Sequence, residues 1–325
     1  MISTDKEYVK IRIDGILNLE DISRSYEMSS KELMEFHNKH CALHELLTLT
    51  LPKYIEHLYI PERAFKKQES NQLKSTKLDL PNTESTKVYG VIVKFFPKEL
   101  QLHYKINVKR IQNTIELVKE KTYINNQEIT KVVEQIFEKA EQALYPLKII
   151  TDHNGDLLKI DNSEQIAERW SSKYLPELKE YYVSESAEEI IDELDKALKD
   201  VDAKRNMLTK NIFYRLFCLP VYQSYPEFLK KDILHICFPG MPGEVSYEVE
   251  YKLGKNYTRG NKIVLEIKGV EEESMINLNA QKGHIELFYK LHKETKILFS
   301  ITGVISAFDH DIEQKIEFQL YELNS

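Results

Sequence analysis

Apolar and polar residues alternate along the last third of the chain. Five runs there have an apolar residue at every second position, and polar residues or a glycine separate each run from the next. Alternation of this kind is typical of a strand that buries one face, and strands joined by short turns pair as antiparallel neighbours. We therefore expect a large one-sided sheet. The runs are residues 245–253, 263–267, 285–291, 297–301 and 316–320, and an earlier run covers residues 100–108.

The middle of the chain has apolar residues at helical spacing instead. Four stripes recur every three or four residues, which indicates amphipathic helices with one face on a core. The stripes run from Ile129 to Ala140, Ile166 to Leu178, Ile190 to Val201 and Leu208 to Leu219. Ser186 with Glu189 is a candidate capping box for the third helix, and Asn162 or Ser163 is a candidate N-cap for the second.

Strands, then helices, then strands predict an α+β domain for residues 88–325, in which a curved antiparallel sheet packs on helices. Strands are expected at 88–120 and 233–323, and helices at 127–219. Tyrosines occupy several alternate strand positions, so the concave face of the sheet either packs as a core or receives a peptide or lipid. The polar segment 62–87 lacks periodicity and is expected to be a linker.

The first sixty residues predict a separate small domain, residues 1–61. Residues 9–13 alternate like a short strand, and a helix is expected from Leu19. A second helix begins at Ser29 or Ser30, where a serine side chain can cap the free backbone amides. Residues 57–60 form a second strand that Pro61 ends. The predicted order is strand, helix, helix, strand.

The residues of this small domain resemble the LysM family over about residues 9–61. The resemblance rests on Leu19-Glu20-Asp21-Ile22-Ser23, Tyr26, Ser30, Leu33, Asn38 and Leu58-Tyr59-Ile60-Pro61. It implies a two-stranded sheet with two helices on one side and a glycan ligand, the N-acetylglucosamine backbone of peptidoglycan or chitin. The implied groove consists of Gly15, Ile16, Leu17, Asn18, Glu27, Met28, Ser29 and Ser30.

Two departures from the LysM pattern favour transfer of the fold over transfer of sugar binding. Gly15-Ile16-Leu17-Asn18 stands where the family has a Gly-Asp-Thr-like turn, and the span from Asn38 to Leu58 is longer than usual. A fold can persist after its ligand is lost, because function resides in particular residues of the site.

Composition narrows the class of protein further. The 325 residues carry a formal net charge of -7 with mixed signs along the chain, which argues against a nucleic-acid partner. No apolar run approaches the length of a membrane span, and the first residues have no signal-peptide pattern. Cys41, Cys218 and Cys237 have no CxxC spacing, which suits reduced thiols. We expect a cytoplasmic protein, or one exported without a signal peptide.

Two clusters of potential ligands have simpler interpretations. His37, His40, Cys41 and His44 have helical spacing that could place a zinc ion, but histidines cluster by chance in a chain with ten of them, and no metal or other cofactor is expected. The segment 152–156 starts like a calcium loop but lacks the distal glutamate, and its Asn-Gly pair favours a turn between two strands.

No GxSxG, HExxH or dinucleotide-binding motif occurs, so a non-enzymatic protein is favoured. The first hypothesis is a structural or adaptor protein with protein partners, a component or effector-loading accessory of a type VI-like contractile injection machine. The alternative is a peptidoglycan-binding cell-envelope protein with a ligand-binding second domain. A hydrolase that uses a carboxylate such as Asp156 or Glu244 is a third possibility.

Overall fold

The chain divides into two compact units, residues 1–74 and 75–325. The structure is a computed structural model that describes residues 7–13, 18–48, 50–52, 55–272 and 281–323. It contains both helices and an antiparallel sheet, so the predicted α+β class is confirmed. None of the helices within these ranges is long and apolar enough to cross a membrane.

The first unit has the predicted order of strand, helix, helix and strand. Its two strands pair antiparallel, with Val9 opposite Ile60, and eight buried apolar side chains form its core, among them Leu33 and Leu58. A further helix follows the second strand. The elements are β1 (Tyr8–Arg12), α1 (Leu19–Ser25), α2 (Ser30–His40), β2 (His57–Pro61) and α3 (Glu62–Asn71), with a 3-10 turn at Leu43–Glu45.

Short polar side chains fix where α1 and α2 begin. Asn18 Oδ1 accepts a hydrogen bond from the Asp21 amide at 2.7 Å. Ser29 Oγ accepts from the Glu32 amide, while the Glu32 carboxylate accepts from the Ser29 amide, which completes a capping box. The prediction that a serine caps the second helix is therefore confirmed at Ser29.

Part of the predicted linker belongs to the first unit. Within segment 62–87, α3 packs against both β1 and β2, and Ala64 and Phe65 lie against the core of the unit. The sequence did not predict this helix, because most of its residues are polar and only these two apolar residues pack on the core. The division between the units falls after Lys74, and the first strand of the second unit begins at Ser85.

The second unit is built on a sheet in which all the paired strands described are antiparallel. The order of strands along its main path is β10-β11-β12-β13-β14-β15-β3-β4-β5-β8-β9, and the short pair β6–β7 joins at β4. The strands are β3 (Ser85–Phe96), β4 (Leu100–Ile111), β5 (Thr114–Lys119), β6 (Tyr123–Ile124), β7 (Gln127–Glu128), β8 (Leu147–Thr151), β9 (Leu157–Ile160), β10 (Leu229–Ile236), β11 (Val245–Leu253), β12 (Lys262–Glu271), β13 (His284–His292), β14 (Leu298–Asp309) and β15 (Ile312–Glu322).

The alternating pattern correctly identified the buried face of this sheet. Leu265 lies opposite Tyr289, and Val91 lies opposite Leu320; all four side chains are buried. The C-terminal strands follow each other in chain order as predicted, and β15 then pairs with β3, which joins the two ends of the unit's sequence in one sheet.

Six helices lie between β7 and β10 in the sequence. The predicted cap of α7 is wrong by two residues: Ser184, not Ser186, is the N-cap, and its hydroxyl accepts from the Ala187 amide. Asn162 precedes α5 as predicted, but its side chain bonds to the backbone of Lys148 and Pro146 instead of capping the helix. The helices are α4 (Val132–Leu144), α5 (Ser163–Arg169), α6 (Leu175–Tyr181), α7 (Glu185–Lys199), α8 (Val201–Lys210) and α9 (Ile212–Phe217), and a π-helical turn, Trp170–Tyr174, joins α5 to α6.

A hairpin interrupts the region 127–219 that the sequence assigns to helices. Strands β8 and β9 pair through the turn at 152–156, where Gly155 has a φ of 97°. Asp152 Oδ1 accepts hydrogen bonds from the amides of Asn154 and Asp156, each at 2.8 Å. The carboxylate thus serves the turn, which confirms the turn interpretation of this segment.

Helix α9 lies on the inward face of the sheet. Phe217 makes an edge contact with Tyr89 of β3, and Phe213 makes one with Tyr104 of β4. The Tyr289 hydroxyl of β13 donates to the Leu216 carbonyl at 2.8 Å. Tyrosines at inward strand positions therefore hold the helical layer to the sheet.

The last described strand is tied to two others by Glu322. Its carboxylate accepts from Lys87 Nζ of β3 at 2.6 Å and from His292 Nε2 of β13 at 2.5 Å. Burial opposes ionisation of this group, but the hydrogen bonds from Lys87 and His292 outweigh it and lower the pKa of Glu322 below its usual 4.5.

Acid is therefore expected to weaken the second unit through Glu322. Because the pKa is lower in the folded chain, the stabilisation is complete above about pH 4.5 and is lost as the pH falls through the lowered folded-state pKa. Glu322→Gln is expected to be less stable than the parent protein at neutral pH, and to lose less stability on acidification. Urea unfolding over a pH series measures both, and equal losses in the two proteins would contradict the assignment.

Candidate functional site

A cavity of about 670 Å³ lies within the second unit, between the sheet and the helical layer. Its sheet wall contains Val93 of β3 and Leu102 and Tyr104 of β4. These residues face the cavity because they occupy the inward positions of neighbouring strands: Val93 lies opposite Leu102, and Tyr104 is two residues further along the same strand. Helices α4, α7, α8 and α9 supply the opposite wall.

The helical wall is mainly apolar. Each of these helices is amphipathic, and the apolar stripe that packs on the core also faces the cavity. Most of its members are aliphatic or aromatic, and one methionine, Met207, is only partly buried. The apolar members of this wall are Phe137, Ala140, Leu144, Leu194, Leu198, Met207, Leu208, Ile212 and Phe213.

An ion pair is embedded in the cavity wall. Lys119 Nζ lies 2.5 Å from Glu141 Oε2, and the Lys119 side chain is only 8% exposed. The same ammonium lies 4.1 Å from the centre of the Tyr104 ring, a cation-π contact. Lys119 takes this position because it continues the inward-facing series of Ile115 and Leu117 on β5.

Two tyrosine hydroxyls meet nearby. The oxygens of Tyr145 and Tyr214 are 2.6 Å apart, and one hydroxyl donates to the other. Burial raises the pKa of both phenols well above the usual value, so both are protonated at neutral pH. Burial likewise raises the pKa of Tyr104. These phenols are hydrogen-bonding and packing groups, and none of them is ionised.

The rim of the cavity combines an apolar helix with a polar segment. Phe137 of α4 lines the cavity although half of it is exposed, and its neighbours Val132 and Val133 are also exposed. Across from the helices, Cys237 Sγ lies 3.8 Å from Glu244 Oε1 in the segment 237–244. Burial, together with the Glu244 charge, raises the pKa of the Cys237 thiol, which is therefore protonated.

The predicted groove residues of the first unit lie on either side of α1. Asn18 is its N-cap, and Gly15, Ile16 and Leu17 lie outside the described residues. Glu27 has a φ of 56° and its carboxylate lies 2.6 Å from Lys67 Nζ of α3. Thus two of the predicted side chains already have structural partners.

Of the remaining groove residues, Met28 and Ser29 lie between α1 and α2, and Ser30 is the first residue of α2. Met28 packs against the core, and Ser29 caps α2. The Ser30 hydroxyl lies 3.2 Å from that of Ser23. Segment 27–30 is therefore a tight structural connection whose polar side chains largely serve the fold.

The four potential metal ligands have separate roles. His37 is fully buried; its Nε2 bonds to the Glu45 carbonyl at 2.8 Å, and its Nδ1 accepts from the Tyr59 amide at 3.2 Å. The His40 ring packs against Tyr8, Cys41 ends α2, and His44 is exposed. Among the residues that the structure describes, no three ligating side chains come together as a metal site.

Sequence patterns indicated a concave tyrosine-bearing sheet but not the cavity. Its polar residues Lys119, Glu138 and Glu141 were missed, although one signal was present: Lys119 is a cation at an inward position of an alternating strand. The glutamates carry no comparable signal, because they reach the cavity only through the packing of α4.

The sequence matches no protein-family model, and no curated protein is significantly similar to it.

Proposed function

We propose that this chain is a non-enzymatic binding protein whose second unit holds an apolar ligand between sheet and helices. The observation that carries the proposal is the cavity of about 670 Å³, whose walls are mainly aliphatic and aromatic. Ligand sites commonly have this size and combine an apolar lining with a few polar groups. A core filled by its own side chains leaves few voids larger than a water molecule, so a space of this size is best accounted for by a ligand.

The polar groups of the cavity favour binding over chemistry. Lys119 is paired with Glu141, and the hydroxyls of Tyr145 and Tyr214 bond to one another. A general base needs a free acceptor with a pKa near the working pH, whereas burial keeps these phenols protonated. We therefore assign these groups to orientation of a ligand and to support of the wall.

Titration with N-phenylnaphthylamine tests the proposal, because this neutral dye becomes fluorescent in apolar surroundings. We expect one dye to bind per chain. Met207→Trp, which extends a partly buried side chain into the cavity, is expected to weaken binding at least tenfold. Leu102→Trp fills the cavity from the opposite wall and is expected to do the same.

Met207→Leu is the matched control, since it keeps the apolar volume nearly constant and is expected to leave binding unchanged. Circular dichroism of each variant verifies folding. Absence of dye binding to the parent protein, or equal binding by the parent and both tryptophan variants, would contradict a ligand in this cavity.

For the first unit we propose a LysM-like fold, and the glycan that the resemblance implies is the alternative ligand. The order β1-α1-α2-β2 and the Ser29 capping box support the fold. Sedimentation of the full chain with purified peptidoglycan sacculi tests the ligand. The glycan alternative predicts co-sedimentation that soluble N-acetylglucosamine oligomers reverse, and a chain that stays in the supernatant would contradict it.

A second candidate function is the adaptor role in a contractile injection machine. Two apolar side chains favour a protein contact: Tyr181, at the end of α6, is 77% exposed, and Val183, two residues further along, is 79% exposed. Affinity capture from cells with the full chain is expected to recover spike, hub or effector proteins. The double variant Tyr181→Ser, Val183→Ser should lose them; capture of none by the parent chain would count against this role.

A further inference from the structure

A second pocket of about 260 Å³ adjoins the apolar cavity in the second unit. Four residues line both spaces: Lys119, Thr122, Glu138 and Glu141. In contrast to the large cavity, the small pocket is lined by polar side chains and a tyrosine. A molecule that occupied both spaces would therefore have an apolar part and a polar part, with these four residues at the junction.

At this junction the lysines form ion pairs, whereas one glutamate does not. Lys119 is paired with Glu141, and Lys121, which also lines the small pocket, is paired with Glu128 at 2.9 Å. Glu138 forms no ion pair within 4.0 Å among the described residues, although the Lys121 charge acts on it from a longer distance, and its buried Oε1 atom accepts no hydrogen bond from any residue that the structure describes. Burying a carboxylate oxygen without a hydrogen bond is unfavourable, so this atom calls for a donor from outside the chain.

An ammonium group meets this need best. It supplies both a donor and a positive charge, and hydrogen bonds between charged partners are the strongest of their kind. We propose that the cavity binds an amphiphile with its apolar chain in the large space and a primary ammonium group on Glu138. This inference rests on the proposed function and adds the chemical class of the ligand.

A ligand with an anionic end group would be repelled at this junction. Its charge would face the unpaired Glu138 carboxylate, while Lys119 is already neutralised by Glu141. Placing like charges together without compensation discriminates against such a ligand. The junction therefore selects an amine over a carboxylate attached to the same chain.

Displacement of N-phenylnaphthylamine by three ligands of equal chain length tests this selection. The ligands are dodecylamine, dodecanol and dodecanoate, each used below the concentration at which it forms micelles. At neutral pH we expect dodecylamine to bind at least tenfold more tightly than dodecanoate, with dodecanol between them.

Glu138→Gln identifies the group responsible, since it removes the charge and keeps the shape of the side chain. We expect a loss of about tenfold in affinity for dodecylamine, and no change for dodecanol. Glu193→Gln is the matched control: Glu193 lies on α7 outside both pockets, its side chain is exposed, and Lys196 pairs with its carboxylate at 2.7 Å. It is expected to change the affinity for dodecylamine less than twofold.

The outcomes separate the two proposals. If dodecanoate binds as tightly as dodecylamine, or if Glu138→Gln weakens all three ligands equally, the assignment of the ammonium group is wrong while the apolar site stands. If neither the dye nor any of the three ligands binds, the proposed function itself is wrong.

Discussion

Trp170→Ala is expected to destabilise the second unit by about 4 kcal/mol, the range found when a fully buried tryptophan is removed. Trp170 is the only tryptophan of the chain and is 0% exposed. It begins the π-helical turn between α5 and α6, and this turn packs against α4. Its indole Nε1 donates to Asp195 Oδ1 of α7 at 2.8 Å. Trp170 thus links α7 to the turn that packs against α4, and both helices line the cavity.

The loss of Trp170 is therefore expected to affect binding as well as stability. Urea unfolding followed by circular dichroism measures stability, because the substitution also removes the tryptophan fluorescence. Trp170→Phe is the control: it retains most of the apolar contact but not the hydrogen bond, and a cost of roughly 1–2 kcal/mol is expected. An alanine variant as stable as the phenylalanine variant would show that packing at this turn does not hold the helical layer.

His37→Ala is expected to destabilise the first unit by about 3 kcal/mol, since it opens a cavity and removes the hydrogen-bond partner of two partly buried backbone groups. The imidazole joins three segments: it lies on α2, bonds to the Glu45 carbonyl, and accepts from the Tyr59 amide of β2. The bond from Tyr59 requires an unprotonated Nδ1, so the proton of the neutral ring is on Nε2. Asn38 adds two bonds to the backbone of Leu47.

Hydrogen exchange followed by mass spectrometry measures this effect within the full chain. Amides of β2 and α2 are expected to lose most of their protection in His37→Ala. The control is His44→Ala, because His44 is exposed and lies in the 3-10 turn of the same segment. Unchanged protection in His37→Ala would contradict the structural role assigned to this histidine.

Patterns within single elements predicted much of the fold. The alternation in residues 245–253 identified β11 with both its ends, because a one-sided strand leaves a period of two in the sequence. By contrast, β6 and β7 have two residues each, too few to show a period. The Asn125-Asn126 pair between them, where both residues have a positive φ, was the available sequence signal for a turn. Helix α3 was missed because most of its residues are polar.

The candidate site was less predictable because it depends on packing between distant elements. The inward tyrosines of the sheet were visible, and Tyr104 does line the cavity. Glu138 and Glu141, however, reach the same space only because α4 packs on the sheet where Glu141 pairs with Lys119 of β5, and no local pattern records that placement. Helical spacing could have placed His37, His40, Cys41 and His44 around a metal, but the fold gives each of these residues a separate environment.

The most direct test of a ligand in the second unit is a crystal structure of the full chain soaked with N-phenylnaphthylamine at a concentration that saturates the titration. We predict electron density for the dye between Leu102 of the sheet and Met207 of α8, within the cavity of about 670 Å³. Density for the dye at another surface, with this cavity filled by the protein's own side chains, would contradict the account.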